Sequence, residues 1–393
     1  LQEAADLARA ADARNLLGNC LIAIARAWWR IGDTAPCQKA VEAAYAIFRE
    51  TDHSPGKSQA LNMLGNLHLG LTGDYAQALA YFKALRALAR ELDTRYREAA
   101  AQGNIGITCS LLGAYRRSQQ VLAQALPVMQ EVGDRHWQGI ILHWQAANQR
   151  GLGDLAQAQA TAGQALETCR AVGNRNFEIA TLELLGLIAL DQHAPKEARR
   201  HLQAAVEMAR ANEQTMDWAL NQSYLALVTL YLGRPEEARQ LVEQAIVKLE
   251  GLEEQVGRIR EAYFVRCQII AATDGPKAAC PDLERAYRHL AQVAARIKDP
   301  ALRRSFLENE RRNRAIVAAH RRGQIPPPLR QQRVSLPRVD APTGRPLRQD
   351  EYVTVKWTVT APEDGVISGT IARRRHRLLR LLGEAAAQEA APT

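Results

Sequence analysis

One register runs through most of this chain. A turn glycine followed by a polar or small residue recurs at Gly32-Asp33, Gly73-Asp74, Gly113-Ala114, Gly153-Asp154 and Gly233-Arg234. His193-Ala194-Pro195 fills the empty slot and Thr273-Asp274-Gly275 extends the series, so the anchors stand 41, 40, 40, 40, 40 and 40 residues apart. A period held that long means one supersecondary unit repeated, each copy burying its apolar face against its neighbours.

Other positions keep step with the anchors. Five residues after each stands a small residue: Cys37, Ala78, Ser118, Ala158, Ala198, Ala238, Ala278. Twelve after come Ala44, Ala125, Ala165, Ala205 and Ala245; seven before come Ala25, Gly106, Ala146, Gly186 and Ala226, with Gly65 one place earlier. Small side chains at these places let two antiparallel helices approach closely, while Leu, Ile and Val at i, i+3, i+4 fill the rest of the interface. Asp12, Asp52, Asp93, Asp134 and Asn174 mark where each second helix ends. With hydrophobic residues at 47% and aromatics at only 5%, such a core is built from aliphatic and small groups.

This pattern resembles the tetratricopeptide repeat, most clearly at Leu64-Gly65-Asn66, Gly73-Asp74-Tyr75, Ala78-Leu79, Tyr81-Phe82 and Ala84-Leu85. The units are longer than the usual 34 residues, like those of the multidomain bacterial signal-transduction ATPases that include the maltose regulator. The resemblance implies an all-α fold, an α-α superhelix of helix pairs. Its expected layout is a trailing helix of an incomplete repeat over 1–13, seven pairs over 14–298 and a charged capping helix over 299–322. His193, without the turn glycine, and Arg266, in place of a small residue, depart from the pattern and imply looser packing there. Because Leu1 opens a second helix with no polar-faced cap before it, the chain reads as a fragment whose array continues upstream.

In this family the first helices line a groove, and the resemblance places three side chains of each helix in it. From these come Arg26, Asn62, Asn66, His143, Arg150, Leu187 and Leu227 as candidates to hold a protein or peptide, polar and cationic at one end and apolar at the other. The family's lysine clamp for carboxyl-terminal tails is not reproduced, since Gln59 and Asn62 stand at its lysine positions.

After His320 the character changes. Residues 321–393 hold eight of the sixteen prolines and a surplus of six positive charges out of the chain's nine. Pro326-Pro327-Pro328 reads as the start of a Pro/Arg-rich linker over 323–350. Tyr352–Thr360 alternates Val353, Val355, Trp357 and Val359 with polar residues, the mark of a short half-buried β-strand whose partner is the preceding segment or another chain. A basic amphipathic helix is expected over Ala372–Gln388. Its Arg-x-x-Leu-Leu-x-Leu-Leu run and the following Pro392-Thr393 resemble the opening of a winged helix-turn-helix domain, incomplete here within 351–393. That resemblance would put Arg373, Arg374, Arg375 and Arg377 near DNA phosphates, positioning without reading bases.

No phosphate loop, nucleophile elbow, metalloprotease or kinase signature occurs, so the chain reads as non-enzymatic, with no cofactor. Its six cysteines form no Cys-x-x-Cys pair and its nine histidines are dispersed, which argues against a metal site or a disulfide framework and agrees with a reducing cytoplasm. No stretch is long and apolar enough to span a membrane. The expected function is a protein- or peptide-binding sensor region of a bacterial signalling or transcriptional regulator; the alternative is a plain scaffold for complex assembly with no DNA-binding output.

Overall fold

The computed structural model describes residues 1–250, 258–323, 325, 352–360 and 366–374. These form seventeen helices and one two-stranded hairpin. The helices pack as one unit and the hairpin belongs to a second.

A lone helix α1 (Gln2–Ala10) precedes seven antiparallel pairs. The first three are α2 (Arg14–Ile31) with α3 (Thr34–Glu50), α4 (Ser54–Gly70) with α5 (Tyr75–Glu91), and α6 (Arg95–Leu111) with α7 (Tyr115–Glu131). Then come α8 (Arg135–Leu152) with α9 (Leu155–Ala171) and α10 (Arg175–Asp191) with α11 (Pro195–Ala211). The last two are α12 (Thr215–Tyr231) with α13 (Pro235–Glu250), and α14 (Ile259–Thr273) with α15 (Pro276–Arg296).

The small residues do what their spacing requires. Ala44, Ala125, Ala165, Ala205 and Ala245 are all fully buried. At Gly106 an added Cβ would stand 2.5 Å from Leu122 of the partner helix, so any larger residue forces that leucine to shift. Ser118 fills its slot with a hydroxyl that donates to the Gly106 carbonyl at 2.6 Å and accepts from Asn148 at 2.8 Å. Four of the six cysteines, Cys37, Cys109, Cys169 and Cys267, are small buried core residues, and all six are free thiols.

Three details differ from the sequence reading. His193 takes the left-handed conformation of the turn (φ 59°) without being glycine, so the register passes through it intact. The residues marking the ends of second helices belong to two positions rather than one. Asp12, Asp52 and Asp93 hold a positive φ, as do Gly133 and Gly173, whereas Asp134 and Asn174 cap the next helix by accepting from Trp137 and Phe177 amides. In the seventh pair the register slips by one, leaving Ala278 exposed and burying Ala279. Arg266 there reaches Glu243 and Asp282, both at 3.1 Å, and ties α14 to its two neighbours by charge where the other pairs use close packing.

The segment expected as one capping helix is two helices, α16 (Pro300–Glu308) and α17 (Arg311–Arg322). Asp299 caps the first, accepting from the Ala301 and Leu302 amides, with Pro300 at its first turn. The chain becomes extended at Glu310, whose carboxylate accepts from the Asn313 amide at 2.7 Å and starts the second.

The strand β1 (Tyr352–Thr360) pairs antiparallel with β2 (Val366–Arg374), Tyr352 opposite Arg374 and Thr360 opposite Val366. Its partner is thus the segment that follows it, not the one before. Arg373 and Arg374 lie in β2, so the basic helix does not begin at Ala372 as expected. Arg375, Arg377, the rest of that helix and nearly all of the 323–350 linker lie outside the described residues.

Candidate functional site

Helices α16 and α17 cross the row of first helices, and the side chains they meet define the site. The array curls far enough for its last pair to reach its second. Arg296 at the end of α15 donates to the Thr72 carbonyl, and Val293 lies beside Gly73. Phe306 of α16 is fully buried, with the Tyr75 ring 5.8 Å away in the second pair and the Arg260 guanidinium 5.6 Å away in the seventh. Its neighbours in the same core cluster include Leu187 and Leu227, together with Ile316 and Val317 of α17.

Polar contacts then run along the row. Asn309 donates to the Gly113 carbonyl at the turn after α6, at 3.4 Å. Arg311 donates to Asp191 at the end of α10, at 2.8 Å, and to the Arg150 carbonyl at the end of α8, at 3.4 Å. Arg312 donates to Glu261 at the start of α14 and lies over the Tyr224 ring of α12, 4.8 Å from its centre. Asn313 is fully buried, accepting from Arg260 and donating to the Phe306 carbonyl, both at 2.9 Å. At the far end His320 stacks on Tyr287 and faces Glu284 at 3.1 Å.

Of the acids receiving these arginines, Glu261 is buried and Asp191 half-buried, which is expensive unless they are paired. Glu261 also accepts from Tyr224 and from Arg258 at 3.0 Å, and Arg258 reaches on to Glu183 of α10 at 3.2 Å. Burial alone would raise the Glu261 carboxyl; Arg258, Arg312 and Arg260 outweigh it and hold it well below the usual carboxylate range. At Asp217 the balance goes the other way: burial, then the neighbouring Glu183 charge, pushes it up against the opposing pull of Arg258. The lining is therefore a set of carboxylates whose charge is met by guanidinium groups, some built into the array and some brought by α17.

The candidates read from the sequence fall at three depths. Arg26 is exposed, and Asn62 and Asn66 are half-buried, with Asn62 accepting from Asn104 at 3.1 Å. Arg150 is largely buried and donates to Asp191 at 2.7 Å; burial lowers its pKa, with Asp191 working against the shift. His143 is buried between Trp144 and Phe177, edge-on to both rings, and faces the Thr181 hydroxyl at 3.1 Å. Burial, with Arg258 adding to it, pushes its pKa down to about 3. Leu187 and Leu227 are buried.

Sequence reasoning missed Glu261, Asp191 and the α17 arginines. The signal was there: acids inside otherwise apolar first helices need cationic partners, and Arg311-Arg312 was the unassigned supply.

Among the described residues no helix is long and apolar enough to cross a membrane, and no cluster of His, Cys, Asp or Glu is arranged to hold a metal ion.

The sequence matches the tetratricopeptide repeat model twice, over residues 58–131 and 137–211. It matches no curated protein. Among solved structures it is similar to a Rap protein complexed with competence and sporulation factor, at 12% identity and a TM-score of 0.57, covering 80% of this chain and 89% of that one. It is similar also to NprR in complex with its cognate peptide NprX, at 14% identity and a TM-score of 0.55, covering 78% and 88%. A third is PH0952 of Pyrococcus horikoshii, a signal transduction ATPase with numerous domains and a tetratricopeptide repeat sensor, at 14% identity and a TM-score of 0.52. That match covers 79% of this chain and 49% of PH0952. At such identities the likeness speaks for the fold. The four pairs from α4 to α11 are the stretch that the tetratricopeptide repeat model matches, and the helix pairs together have the fold of a tetratricopeptide-repeat helical solenoid.

Proposed function

We propose that this solenoid is the peptide- or protein-binding sensor region of a cytoplasmic bacterial signalling regulator, non-catalytic in itself. The observation that carries the reading is the row of first helices, which already holds a polypeptide segment through the half-buried Asp191, the buried Glu261 and an apolar floor. A surface built to take one segment of chain has the chemistry to take another. The similar structures support the reading, since NprR was solved with its cognate peptide. Arg26, Asn62 and Asn66 are the proposed contacts outside the filled stretch, and Arg150, His143, Leu187 and Leu227 are proposed to shape its floor.

The test is selection of peptides from a displayed library against the full chain. Binding of the enriched peptides is then measured by fluorescence anisotropy. The reading expects Asn62→Ala/Asn66→Ala to weaken them by about tenfold or more. Equal affinity for the double variant would move the contact away from the groove.

For the output end, a winged helix-turn-helix continuing past the hairpin would make the regulator transcriptional, with Arg373, Arg374, Arg375 and Arg377 near phosphates. The placement of Arg373 and Arg374 in a strand favours the second reading, a scaffold without DNA output. Duplex DNA titrated against the full-length protein decides between them. A regulator binds with an affinity that falls steeply with salt, and a scaffold does not bind.

A further inference from the structure

Resting on the groove reading above, we infer that α16–α17 is an intramolecular ligand of the groove, and that its arginine pair reveals the external ligand's chemistry. That ligand is a peptide carrying a buried aromatic residue and, five and six residues later, two adjacent arginines. It binds by displacing α16–α17 from the same seats.

Three features of the contact carry this. First, the seats select guanidinium. Arg312 is held between the face of Tyr224 and the carboxylate of Glu261, a planar cation over a ring with an anion at its edge. An ammonium makes neither contact as well, because the planar group both stacks and presents parallel donors. Arg311 shares Asp191 with Arg150 and reaches a backbone carbonyl as well. Second, the array is not left with bare charge when the segment leaves. Glu261 and Glu183 keep Arg258, and Asp191 keeps Arg150, so the vacated state costs one interaction at Glu261 and one at Asp191 and leaves neither acid unpaired. The seats therefore suit exchange of one arginine pair for another. Third, the segment begins and ends on exposed residues. It starts at the exposed Asp299-Pro300 cap and ends at Gly323 in a left-handed conformation (φ 62°). It can leave without unravelling a repeat.

The groove itself supplies a wedge for the test. A Cβ on Gly113 would lie 2.7 Å from the Ser305 carbonyl oxygen and 3.0 Å from the Glu310 nitrogen, both backbone atoms of the docked segment. Gly233 is the equivalent turn residue three pairs later, with φ 79° against 71° at Gly113, yet a Cβ there meets nothing within 4 Å. Gly113→Ala and Gly233→Ala thus carry the same backbone strain, and only the first pushes on α16–α17.

The probe is a fluorescein-labelled synthetic peptide of residues 299–322, titrated by anisotropy into the full chain. The expected result is binding to Gly113→Ala at least about tenfold tighter than to the unsubstituted chain or to Gly233→Ala. With it should come rapid tryptic cleavage within 311–314 in Gly113→Ala alone. A peptide with Arg311 and Arg312 both changed to Ala should lose about tenfold or more, and the double-lysine peptide should lose part of that. The chain variant Arg311→Ala/Arg312→Ala tests release without touching the turn, with far-UV circular dichroism confirming that the repeats stay folded.

Equal titrations of Gly113→Ala and the unsubstituted chain, binding or not, would overturn the inference. So would a double-alanine peptide that binds as well as the native one. Failure here is distinct from failure of the groove reading. Library peptides that bind through Asn62 and Asn66 but ignore Gly113→Ala leave the groove standing and remove the intramolecular ligand. Binding of the 299–322 peptide with no selectable library peptide does the reverse.

Discussion

The first helices α2 and α10 occupy the same place in their repeats and differ in length by one residue, yet their surroundings are opposite. In α2 only Gly18, Ile22 and Ala25 are buried, and Arg26 and Trp29 face outward. In α10 eleven residues from Glu178 to Ala189 are buried, on every side of the helix. Sequence already separates them. A helix reading Leu-Glu-Leu-Leu-Gly-Leu-Ile-Ala-Leu has no polar face to give to water, and such a helix must be covered all round. Neighbouring pairs cover two flanks of α10, and Arg311 arrives at its end. The difference shows that this groove is not one uniform surface. One end is available, and the other is already filled by the chain's own C-terminal helices.

The strongest test of that contrast is truncation at each end. Phe306→Ala removes a fully buried ring from the cluster that links the second and seventh pairs, and should cost about 3–5 kcal/mol in urea unfolding. Arg26→Ala, at the open end, should stay within about 0.5 kcal/mol of the parent. If the two variants unfold at similar urea concentrations, α16 is not docked as described.

Charge offers the next contrast. Arg312→Ala deprives buried Glu261 of one of its partners and should cost about 1.5–3 kcal/mol, the range for hydrogen bonds to charged groups. Arg9→Ala breaks a pair with Asp6 that is exposed on both sides and should cost less than about 0.5 kcal/mol. Arg312→Lys belongs between the extremes, because the ammonium keeps the charge and loses the stacking on Tyr224. Thermal and urea unfolding of the three variants check the order.

These contrasts also show what the sequence could carry. The period, the small residues at fixed offsets and the all-α solenoid were legible because each depends on contacts within one unit or with the next. Ala44, Ala125 and Ala205 are buried where the spacing put them. What was not legible depends on pairs far apart in the chain. Arg311 and Asp191 are 120 residues apart and Arg312 and Glu261 are 51 apart, and no local pattern announces either. Read alone, Arg311-Arg312-Asn313-Arg314 looks like a solvated helix face. Read beside the acids of α10 and α14 it looks like their missing partners. The break at Asn309-Glu310 was missed for a local reason, since Glu is an uncommon cap and nothing else there interrupts the helix.

Acid should act on the covered part of the array before the open part. His143 has a pKa of about 3 in the fold, against 6.5 for an ordinary imidazole, so below 6.5 the unfolded chain takes a proton that the folded chain refuses. The unfolded state then binds more protons, and stability falls as pH drops from 6.5 toward 3, by up to about 1.4 kcal/mol per pH unit. Burial lowers His68 and His201 in the same direction, so the test is a difference. His143→Gln should flatten part of the slope between pH 6.5 and 5, where Glu261 remains ionised. An unchanged slope would mean that water reaches the ring.

The smallest effect separates stability from binding at the open end. Asn62 accepts one hydrogen bond from Asn104, neutral to neutral and partly exposed, so Asn62→Ala should cost about 0.5–1.5 kcal/mol. Asn66, one turn further along α4 and half-buried, should cost less, within about 0.5 kcal/mol. If both side chains serve a bound peptide, the ranking disappears in a binding assay, because each then loses a contact of the same kind. Asn66→Ala is the informative variant. A change that leaves the urea midpoint in place while weakening a selected peptide places the function in the open stretch. Weakening by Asn62→Ala alone, in proportion to its loss of stability, would reduce the asparagines to structural links between neighbouring repeats.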